Sequence, residues 1–158
     1  MQIFRKFFLV LSHCVPDSFY FRFVRNFFLK LAGVNLRIWG CYIKRPYYFD
    51  NPSNITIGNG VFINSGVCFE GEGKITIGSQ CQVAPYVVFA TTNHEFPNWD
   101  EKVEPVMIGN RVWIGAHVTV TPGAIVNSDT VIGAGAVVTG KIGGGLFAGI
   151  PAKKIKGD

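Results

Sequence analysis

The chain has 158 residues, a formal net charge of +5 and a sequence pI near 9.1, and 48% of its residues are hydrophobic. This size fits one domain with a substantial buried core. The basic residues are divided between an N-terminal segment and the C-terminal tail, which argues against a nucleic-acid-binding surface and fits phosphate on a small ligand or on lipid.

Residues 3–32 are predicted to be helical and amphipathic. Pro16, with Asp17 or Ser18, is predicted to start a helix that Gly33 ends. One side of that helix is apolar and the other is polar and basic: Tyr20, Phe23, Val24, Phe27, Phe28 and Leu31 against Arg22, Arg25, Asn26 and Lys30. We expect the aromatic side to cover the open end of the repeats that follow. Attachment of this segment to an anionic membrane surface is the alternative use, and both uses are compatible.

The sequence favours a cytoplasmic protein. The apolar run Phe7–Leu11 is far shorter than the about 20 residues of a membrane-spanning helix, and it is too short for a signal peptide. The cysteines show no CxxC spacing and no paired histidines, which predicts no metal site and a reducing compartment. The inner face of the membrane is the place where a basic helix would act.

From Ile43 onward, an apolar residue recurs every six positions. These positions are Ile43, Phe49, Ile57, Ile63, Phe69, Ile77, Val83, Phe89, Ile108, Ile114, Val120, Val126, Ile132 and Val138. A period of six fits neither an α-helix nor a simple strand, and it is typical of a β-helix built from short strands and turns. The spacing widens to eight residues at Phe49–Ile57 and at Phe69–Ile77, so three hexads form one triangular coil with room for extra residues at one corner.

At that same corner the spacing between Phe89 and Ile108 widens to nineteen residues, which predicts a loop excursion over residues 91–107. His94 lies in this excursion, next to the rigid repeats. Because an imidazole titrates near pH 6.5, His94 is the candidate general base, with an unspecialised surface histidine as the alternative. Since no Ser–His–Asp or Cys–His pattern is present, direct attack by a substrate with help from one base is favoured.

Four motifs resemble the hexapeptide-repeat acyltransferases, most closely the branch that holds galactoside, maltose and polysaccharide O-acetyltransferases. They are TTNH at 91–94, VWIG at 112–115, VIGAGAVVT at 131–139 and AGIPAK at 148–153. The resemblance covers roughly residues 43–156. It implies an all-β fold, a left-handed parallel β-helix with an N-terminal amphipathic α-helical segment. The chain is then divided into a helical segment (1–35), the β-helix (36–150) and a basic tail (151–158).

The resemblance also implies an activity: acetyl-CoA-dependent O-acetylation of a sugar hydroxyl in surface polysaccharide or glycan biosynthesis, without a metal. His94 would deprotonate the acceptor. The candidate residues for the acceptor are Asn64, Asn93, Glu95, Trp99 and Trp113. The family likeness implies a homotrimer that holds acetyl-CoA between neighbouring β-helices. The backbone of Ala116 would lie at the thioester, those of Ala134 and Thr139 at the pantetheine arm, and Lys153 and Lys156 at the phosphates.

The chain departs from the galactoside branch at several positions. Gly140 replaces a lysine that often follows the threonine, and Gly66 replaces an asparagine that contacts the acceptor, with Asn64 nearby. The short aromatic, basic N-terminus resembles transferases of surface-polysaccharide assembly, which predicts a saccharide acceptor that can be lipid-linked and a peripheral membrane contact through residues 3–32. Two alternatives stay open: N-acetylation of an amino-sugar nucleotide or amino acid, and a non-enzymatic β-helical scaffold in a glycan-assembly complex.

Overall fold

The computed structural model describes residues 2–156, which form two helices and a series of short strands. In chain order they are α1 (Gln2–Cys14), α2 (Arg22–Ala32), β1 (Cys41–Ile43), β2 (Tyr47–Phe49), β3 (Ile55–Ile57), β4 (Val61–Ile63), β5 (Val67–Glu70), β6 (Ile75–Ile77), β7 (Gln82–Val83), β8 (Val88–Ala90), β9 (Thr92–Glu95), β10 (Asp100–Val103), β11 (Val106–Ile108), β12 (Trp113–Ile114), β13 (Thr119–Val120), β14 (Ile125–Val126), β15 (Thr130–Ile132), β16 (Val137–Val138), β17 (Lys141–Ile142), β18 (Gly145–Ala148) and β19 (Lys153–Lys156). A short 3-10 turn, Pro52–Asn54, precedes β3.

Three parallel sheets form the faces of a triangular prism. Face A holds β3, β6, β11, β14 and β17; face B holds β1, β4, β7, β12, β15 and β18; face C holds β2, β5, β8, β13 and β16. The chain visits the faces in the fixed order B, C, A, one coil after another. This is the parallel β-helix that the six-residue period predicts, consistent with the left-handed form that the family resemblance implies. The tail strand β19 turns back and pairs antiparallel with β18.

The fourteen predicted axial residues all point into the prism. Each of them is at most 3% exposed, so the register read from the sequence is confirmed. On the inner side of face C the rings of Phe49, Phe69 and Phe89 stack at centroid distances of 4.7 and 5.1 Å. Burying this continuous apolar column is the main stabilising contribution, because each fully buried aliphatic or aromatic side chain contributes about 1.5–3 kcal/mol.

The two helices cover the open end of the prism, where the first coil would leave its backbone unpaired. The packing of α1 on α2 includes a stacked pair, Phe8 and Phe28, with ring centroids 6.5 Å apart. Strand β2 is covered by His13, whose Nε2 lies 3.0 Å from the Tyr47 carbonyl oxygen. Strand β3 is bridged by Asn35. Exposed strand edges attract other chains, so covering them protects the fold.

The inner side of α2 differs from the sequence-based expectation. Arg25 and Asn26, predicted on the outer polar side, are fully buried, whereas Phe27 and Leu31 from the predicted packing side are 47% and 42% exposed. The physical reason lies in the carbonyl groups of the first coil, which need donors. Asn26 donates to the carbonyls of Ile38 (2.8 Å) and Cys41 (2.9 Å).

Arg25 provides further hydrogen-bond donors for backbone carbonyls at this covered end of the prism. It donates to the carbonyls of Ile43 and Val15 and forms an ion pair with Asp17 at 2.7 Å. Asp17 therefore does not start the helix as predicted: α2 begins at Arg22 without a side-chain cap, and the predicted helical stretch is broken between the two helices. The predicted end at Gly33 is confirmed, with a left-handed φ of 116°. Within residues 2–156 neither helix combines the length and the apolar character that a membrane span requires.

Candidate active site

The excursion after β8 is a β-hairpin rather than an irregular loop. Strands β9 and β10 pair antiparallel, with His94 opposite Glu101. Lys102 lies 3.6 Å from Glu95 and 3.5 Å from Glu104, so the two arms are also joined by charge. The predicted acceptor residues Asn93, Glu95 and Trp99 are all on this hairpin and all exposed.

His94 is exposed, and its ring is oriented by the hairpin itself. Nδ1 lies 3.3 Å from the carbonyl oxygen of Trp99, and the backbone N–H of His94 donates to Asn93 Oδ1 at 2.9 Å. Because a carbonyl can only accept, the neutral ring carries its proton on Nδ1. Nε2 then keeps the lone pair that a general base requires.

The root of the hairpin is anchored inside the preceding coil. Thr91 is fully buried; its hydroxyl donates to the Glu70 carbonyl at 3.1 Å and accepts from the Gly73 N–H at 2.9 Å. Gly71 has a φ of 96°, and a Cβ there would lie 2.5 Å from the Thr91 hydroxyl oxygen. A glycine is therefore required where the coil passes the hairpin root, and this close packing fixes where His94 is held.

Two corners of the prism flank face C, and they differ in what they present. The hairpin corner, between faces C and A, comprises residues 50–54, 71–74, 91–105, 121–124 and 139–140. The small-residue corner, between faces B and C, comprises residues 44–46, 64–66, 84–87, 115–118 and 133–136. The predicted site residues divide between these two corners and face B.

A cleft of about 510 Å³ opens along the hairpin corner, between α1 and the first two coils. Its lining includes Arg5, Tyr48, Asp50 and Glu72, none of which the sequence reasoning selected. Asp50 and Glu72 occupy the two places where the repeat spacing widens to eight, so the widenings at the corner of the His94 excursion were the available signal. Coils are about 4.8 Å apart, which places the upper cleft roughly 10 Å from the hairpin root.

The chemistry of this cleft suits a saccharide. The Tyr48 ring is 54% exposed and can pack against the apolar face of a sugar, while carboxylates beside it accept from hydroxyl groups. The Tyr48 hydroxyl lies 3.2 Å from Asp50, and this hydrogen bond raises the pKa of Tyr48, so the phenol stays protonated. Glu72 accepts from the Asn51 side chain at 2.8 Å, and Arg5 donates to Ser53 at 2.8 Å.

At residues 115–116 and 133–136, in its last two coils, the small-residue corner presents backbone instead of large side chains. Ala116 and Ala134 lie on successive coils, joined by a 2.8 Å hydrogen bond from the Gly135 N–H to the Ala116 carbonyl. A Cβ at Gly115 would lie 2.5 Å from the Ala134 nitrogen, so a close backbone approach requires glycine. The next coil brings Lys153, which pairs with Ala148, to the same corner. The structure thus groups three of the predicted cofactor residues along one edge.

The other predicted site residues lie at three different places on the prism. Asn64 lies at the small-residue corner, Trp113 is 58% exposed on face B, and Lys156 is paired opposite Leu146 at the end of that face. Thr139 lies at the hairpin corner, two coils beyond Ala90. Strands of two to four residues separate the two corners across face C, a span of up to roughly 13 Å. Within one chain the His94 hairpin and the Ala116 backbone are therefore on different edges.

Neither the cysteine on face C nor the other exposed histidine competes with His94. Cys68 lies on the outer side of β5, and burial, followed by the charge of Glu70, raises its pKa, which disfavours a thiolate nucleophile. His117 is exposed at the small-residue corner and stacks on Tyr86 at a centroid distance of 5.1 Å. It faces outward, as the repeat register predicts.

Comparison with known proteins identifies the family to which this fold belongs. The six-repeat family model described as bacterial transferase hexapeptide matches residues 105–140. The galactoside O-acetyltransferase of Escherichia coli (strain K12) is 35% identical over 121 residues, covering 73% of this chain and 60% of that protein. This chain thus spans about 60% of the length of that relative.

Two further relatives extend the match over most of the chain. WbbJ of Escherichia coli (strain K12), whose name assigns it to O-acetyl transfer in lipopolysaccharide biosynthesis, is 32% identical and aligned over 87% of both chains. A solved structure of a galactoside acetyltransferase in complex with coenzyme A superposes with a TM-score of 0.83 at 28% identity, over 99% of this chain and 80% of that chain. The chain belongs to the hexapeptide-repeat acetyltransferase family.

Proposed function

We propose that this protein transfers an acetyl group from acetyl-CoA to a sugar hydroxyl in surface polysaccharide or glycan biosynthesis. The observation that carries this proposal is His94, held on an anchored hairpin with Nε2 as the free lone pair, at the same corner as a cleft suited to saccharides. The names of the galactoside O-acetyltransferase and of WbbJ point to the same reaction in relatives.

The proposed reaction is a direct attack with one proton carrier. The acceptor O–H gives its proton to His94 Nε2 while its oxygen attacks the thioester carbonyl carbon. The tetrahedral intermediate then collapses, the C–S bond breaks, and the sulfur of CoA takes the proton from the imidazolium. The products are an acetyl ester and the free thiol.

The charge that develops on the thioester oxygen needs a fixed donor. The Ala116 N–H donates no backbone hydrogen bond within residues 2–156, whereas its neighbours Gly115 and His117 do, so it is free to hold this oxyanion. Ala134 and Thr139 would offer backbone groups to the pantetheine arm. Lys153 and Lys156, both exposed, would meet the nucleotide phosphates.

The acceptor would bind along the hairpin corner. Tyr48, Asp50 and Glu72 supply a ring face and carboxylates in the cleft, while Asn93, Glu95 and Trp99 would contact the sugar at the hairpin. Asn64 and Trp113 would reach it from a neighbouring subunit. Because the two corners are separated by face C in one chain, we infer a homotrimer in which the hairpin corner of one subunit meets the small-residue corner of the next.

A lipid-linked acceptor fits the upper end of the cleft. Arg5 and Lys6 of α1 line it, and their cationic groups would face a phosphate that joins the sugar to its lipid. In this proposal residues 3–32 make a peripheral membrane contact, which would bring the cleft to a membrane-borne substrate.

The direct test is an acceptor-dependent assay of thiol release from acetyl-CoA across sugars and oligosaccharides. His94→Ala should lower the rate about a hundredfold or more, because one general base contributes that much. Met107→Ala, which changes an exposed residue on face A away from both corners, is the control and should stay near wild type. Equal acceptor-dependent rates for wild type and His94→Ala would remove His94 from this role.

Two measurements distinguish the proposed O-acetylation from the two alternative functions. If the product survives mild alkali, it is an amide, and N-acetylation of an amino-sugar nucleotide or amino acid replaces the proposed ester. A scaffold would not need the cofactor, so calorimetric titration with CoA that gives no heat at high micromolar ligand would favour that role.

A further inference from the structure

The outer surface of the helical cap is apolar where a protein surface is normally polar. Its exposed members, which we call the aromatic cap surface, are Ile3, Phe4, Phe7, Val10, Phe27, Leu31 and Trp39, each between 42% and 83% exposed. Ring contacts run across the two helices through Phe7, Phe8, Phe28 and Phe27 at centroid distances of 5.6, 6.5 and 5.8 Å. Trp39 joins it by stacking on Phe23 at 4.8 Å. Contiguous exposed apolar area of this kind marks a contact site.

This exposed apolar surface results from the orientation of α2. The polar side chains Arg25 and Asn26 point inward and pair backbone carbonyls, so Phe27 and Leu31 are left on the outer side of the helix. On α1 the exposed apolar residues Ile3, Phe7 and Val10 recur at helical spacing along one side. Both helices thus expose apolar residues away from the prism, while Leu9 and Leu29 pack against its core.

Charge is concentrated in the same part of the chain. Residues 1–49 contain eight lysines and arginines and one acidic residue, a net charge of +7, whereas the remaining residues carry a net charge of −2. The single acid, Asp17, is paired with the buried Arg25. An anionic partner is therefore attracted to the cap, and the rest of the molecule is mildly repelled.

A shallow depression adds a place for a phosphate beside this surface. It has a volume of about 440 Å³ and is lined by Lys30, Arg37, Ile38, Trp39, Gly40 and Asn59. Among the described residues neither Lys30 nor Arg37 forms an ion pair. Two cations next to an exposed tryptophan are suited to lipid headgroups, because indole rings favour the boundary between apolar and wet surroundings.

We infer that the aromatic cap surface docks on an anionic lipid bilayer, with its aliphatic and aromatic side chains entering the headgroup region and Lys6, Lys30 and Arg37 meeting lipid phosphates. A second copy of the chain is the less suitable occupant, since facing caps would bring two +7 segments together. Burial of the apolar side chains and attraction of the cations act in the same direction on a bilayer.

Docking in this way would orient the site. The cap lies at the end of the prism that carries the cleft lined by Arg5, Tyr48 and Glu72, and the His94 hairpin follows about two coils, or roughly 10 Å, further on. Under the proposed sugar acetylation, a lipid-linked acceptor would enter the cleft from the bilayer. The docking itself does not depend on that activity and can be measured without it.

The test is sedimentation of the full chain with vesicles of phosphatidylcholine alone or mixed with phosphatidylglycerol. Wild type should bind the anionic vesicles and be released by high salt. Phe4→Ser with Phe7→Ser, or Lys30→Glu with Arg37→Glu, should weaken binding about tenfold or more. The matched controls on face A, Met107→Ser and Lys141→Glu, are an exposed apolar residue and an exposed cation and should bind like wild type.

Three outcomes would contradict the docking, and one measurement serves as a control for the enzyme. Equal binding to neutral and anionic vesicles, or equal loss in the face A controls, would overturn the docking. So would a lower oligomeric state of the Phe4→Ser, Phe7→Ser protein without lipid, because the cap would then be an interface between copies. Unchanged acetyl transfer to a soluble acceptor in these variants shows that the enzyme is intact and that a lost vesicle interaction belongs to the cap.

A spectroscopic readout does not depend on comparing variants of the cap. A chain with Trp39 as its only tryptophan, made by Trp99→Phe and Trp113→Phe, should show blue-shifted emission with anionic vesicles and quenching by brominated lipid. Trp39 is 70% exposed in the free protein, so the shift has room to occur. Emission that does not change with saturating anionic vesicles would contradict the docking.

Discussion

The two corners that flank face C differ in the kind of residues they expose. The hairpin corner exposes polar side chains, with His94 on the hairpin and Asp50 and Glu72 in the cleft beside the exposed Tyr48 ring. In its last two coils the small-residue corner carries glycines and alanines that leave the backbone accessible, as at Ala116 and Ala134. The same six-residue repeat produces both corners, because only axial positions must be apolar and the turns are free to differ.

This difference suggests a division of labour. Side chains distinguish one acceptor from another, since hydroxyl groups are recognised by placed donors and acceptors. A long, flexible cofactor arm can be held by backbone groups that any family member keeps. Changes at the two corners should therefore affect different kinetic constants.

Among changes in substrate binding, the largest expected effect comes from filling the small-residue corner. Ala134→Trp places a ring where the pantetheine arm would lie; Ala134 is exposed, so the core is not disturbed. We expect the KM for acetyl-CoA to rise at least about tenfold, while the KM for the acceptor changes little. Met107→Trp on face A is the matched bulky control. Steady-state kinetics with each substrate varied separately would show the division absent if both KM values rose together.

A smaller effect is expected at the hairpin corner. Asp50→Asn and Glu72→Gln remove charged acceptors that are partly open to solvent, so the KM for a saccharide should rise about threefold to tenfold. The KM for acetyl-CoA should stay the same. Acceptors of one and of several sugar units would be compared, and an effect confined to acetyl-CoA would place these carboxylates at the wrong corner.

The smallest effect is expected at the third corner, between faces A and B, where Arg111 pairs with Asp129 at 2.6 Å. The hydrogen bond from Arg111 lowers the pKa of Asp129, so the stability from this pair is present above the ordinary pKa of aspartate and is lost as the pH falls through the lowered value. Both groups are exposed, and the gain is small.

Asp129→Asn should lower the melting temperature slightly near neutral pH, and the difference from wild type should shrink in acid. Thermal unfolding at several pH values measures this, and acetyl transfer should not change. A loss of transfer in this variant would show that the third corner also takes part in function, against the contrast between the other two.

The prism could be read from the sequence because its rule is local. Every sixth residue must be buried, and residues such as Ile77 or Val120 obey this without regard to distant contacts. The excursion at His94 was visible for the same reason, as a break in spacing. The position of His94 was predictable, whereas the hairpin pairing that orients its ring was not.

The cap and the cleft depended on contacts between distant segments. Periodicity shows that α2 has two faces, but which face turns inward was decided by the carbonyl groups of Ile38 and Cys41, which required donors from Asn26. Likewise, Asp50 lines a cleft only because α1 folds over the first coil and forms the cleft wall. A prediction from side-chain polarity alone places Arg25 on the surface. The need to pair buried backbone carbonyls brings it inside instead.

The central claim, that the base on one subunit works against the cofactor corner of another, can be tested by mixing two impaired variants at an acetyl-CoA concentration far below the KM of the Ala134→Trp protein. His94→Ala and Ala134→Trp would be unfolded together and refolded, and the acetyl transfer of the mixture compared with each variant alone. In a closed trimer of randomly mixed subunits, about a quarter of the interfaces would hold an intact hairpin corner against an intact small-residue corner. The mixture should therefore recover about a quarter of the wild-type rate. A mixture no more active than its components would contradict the account and place both halves of the site on one chain.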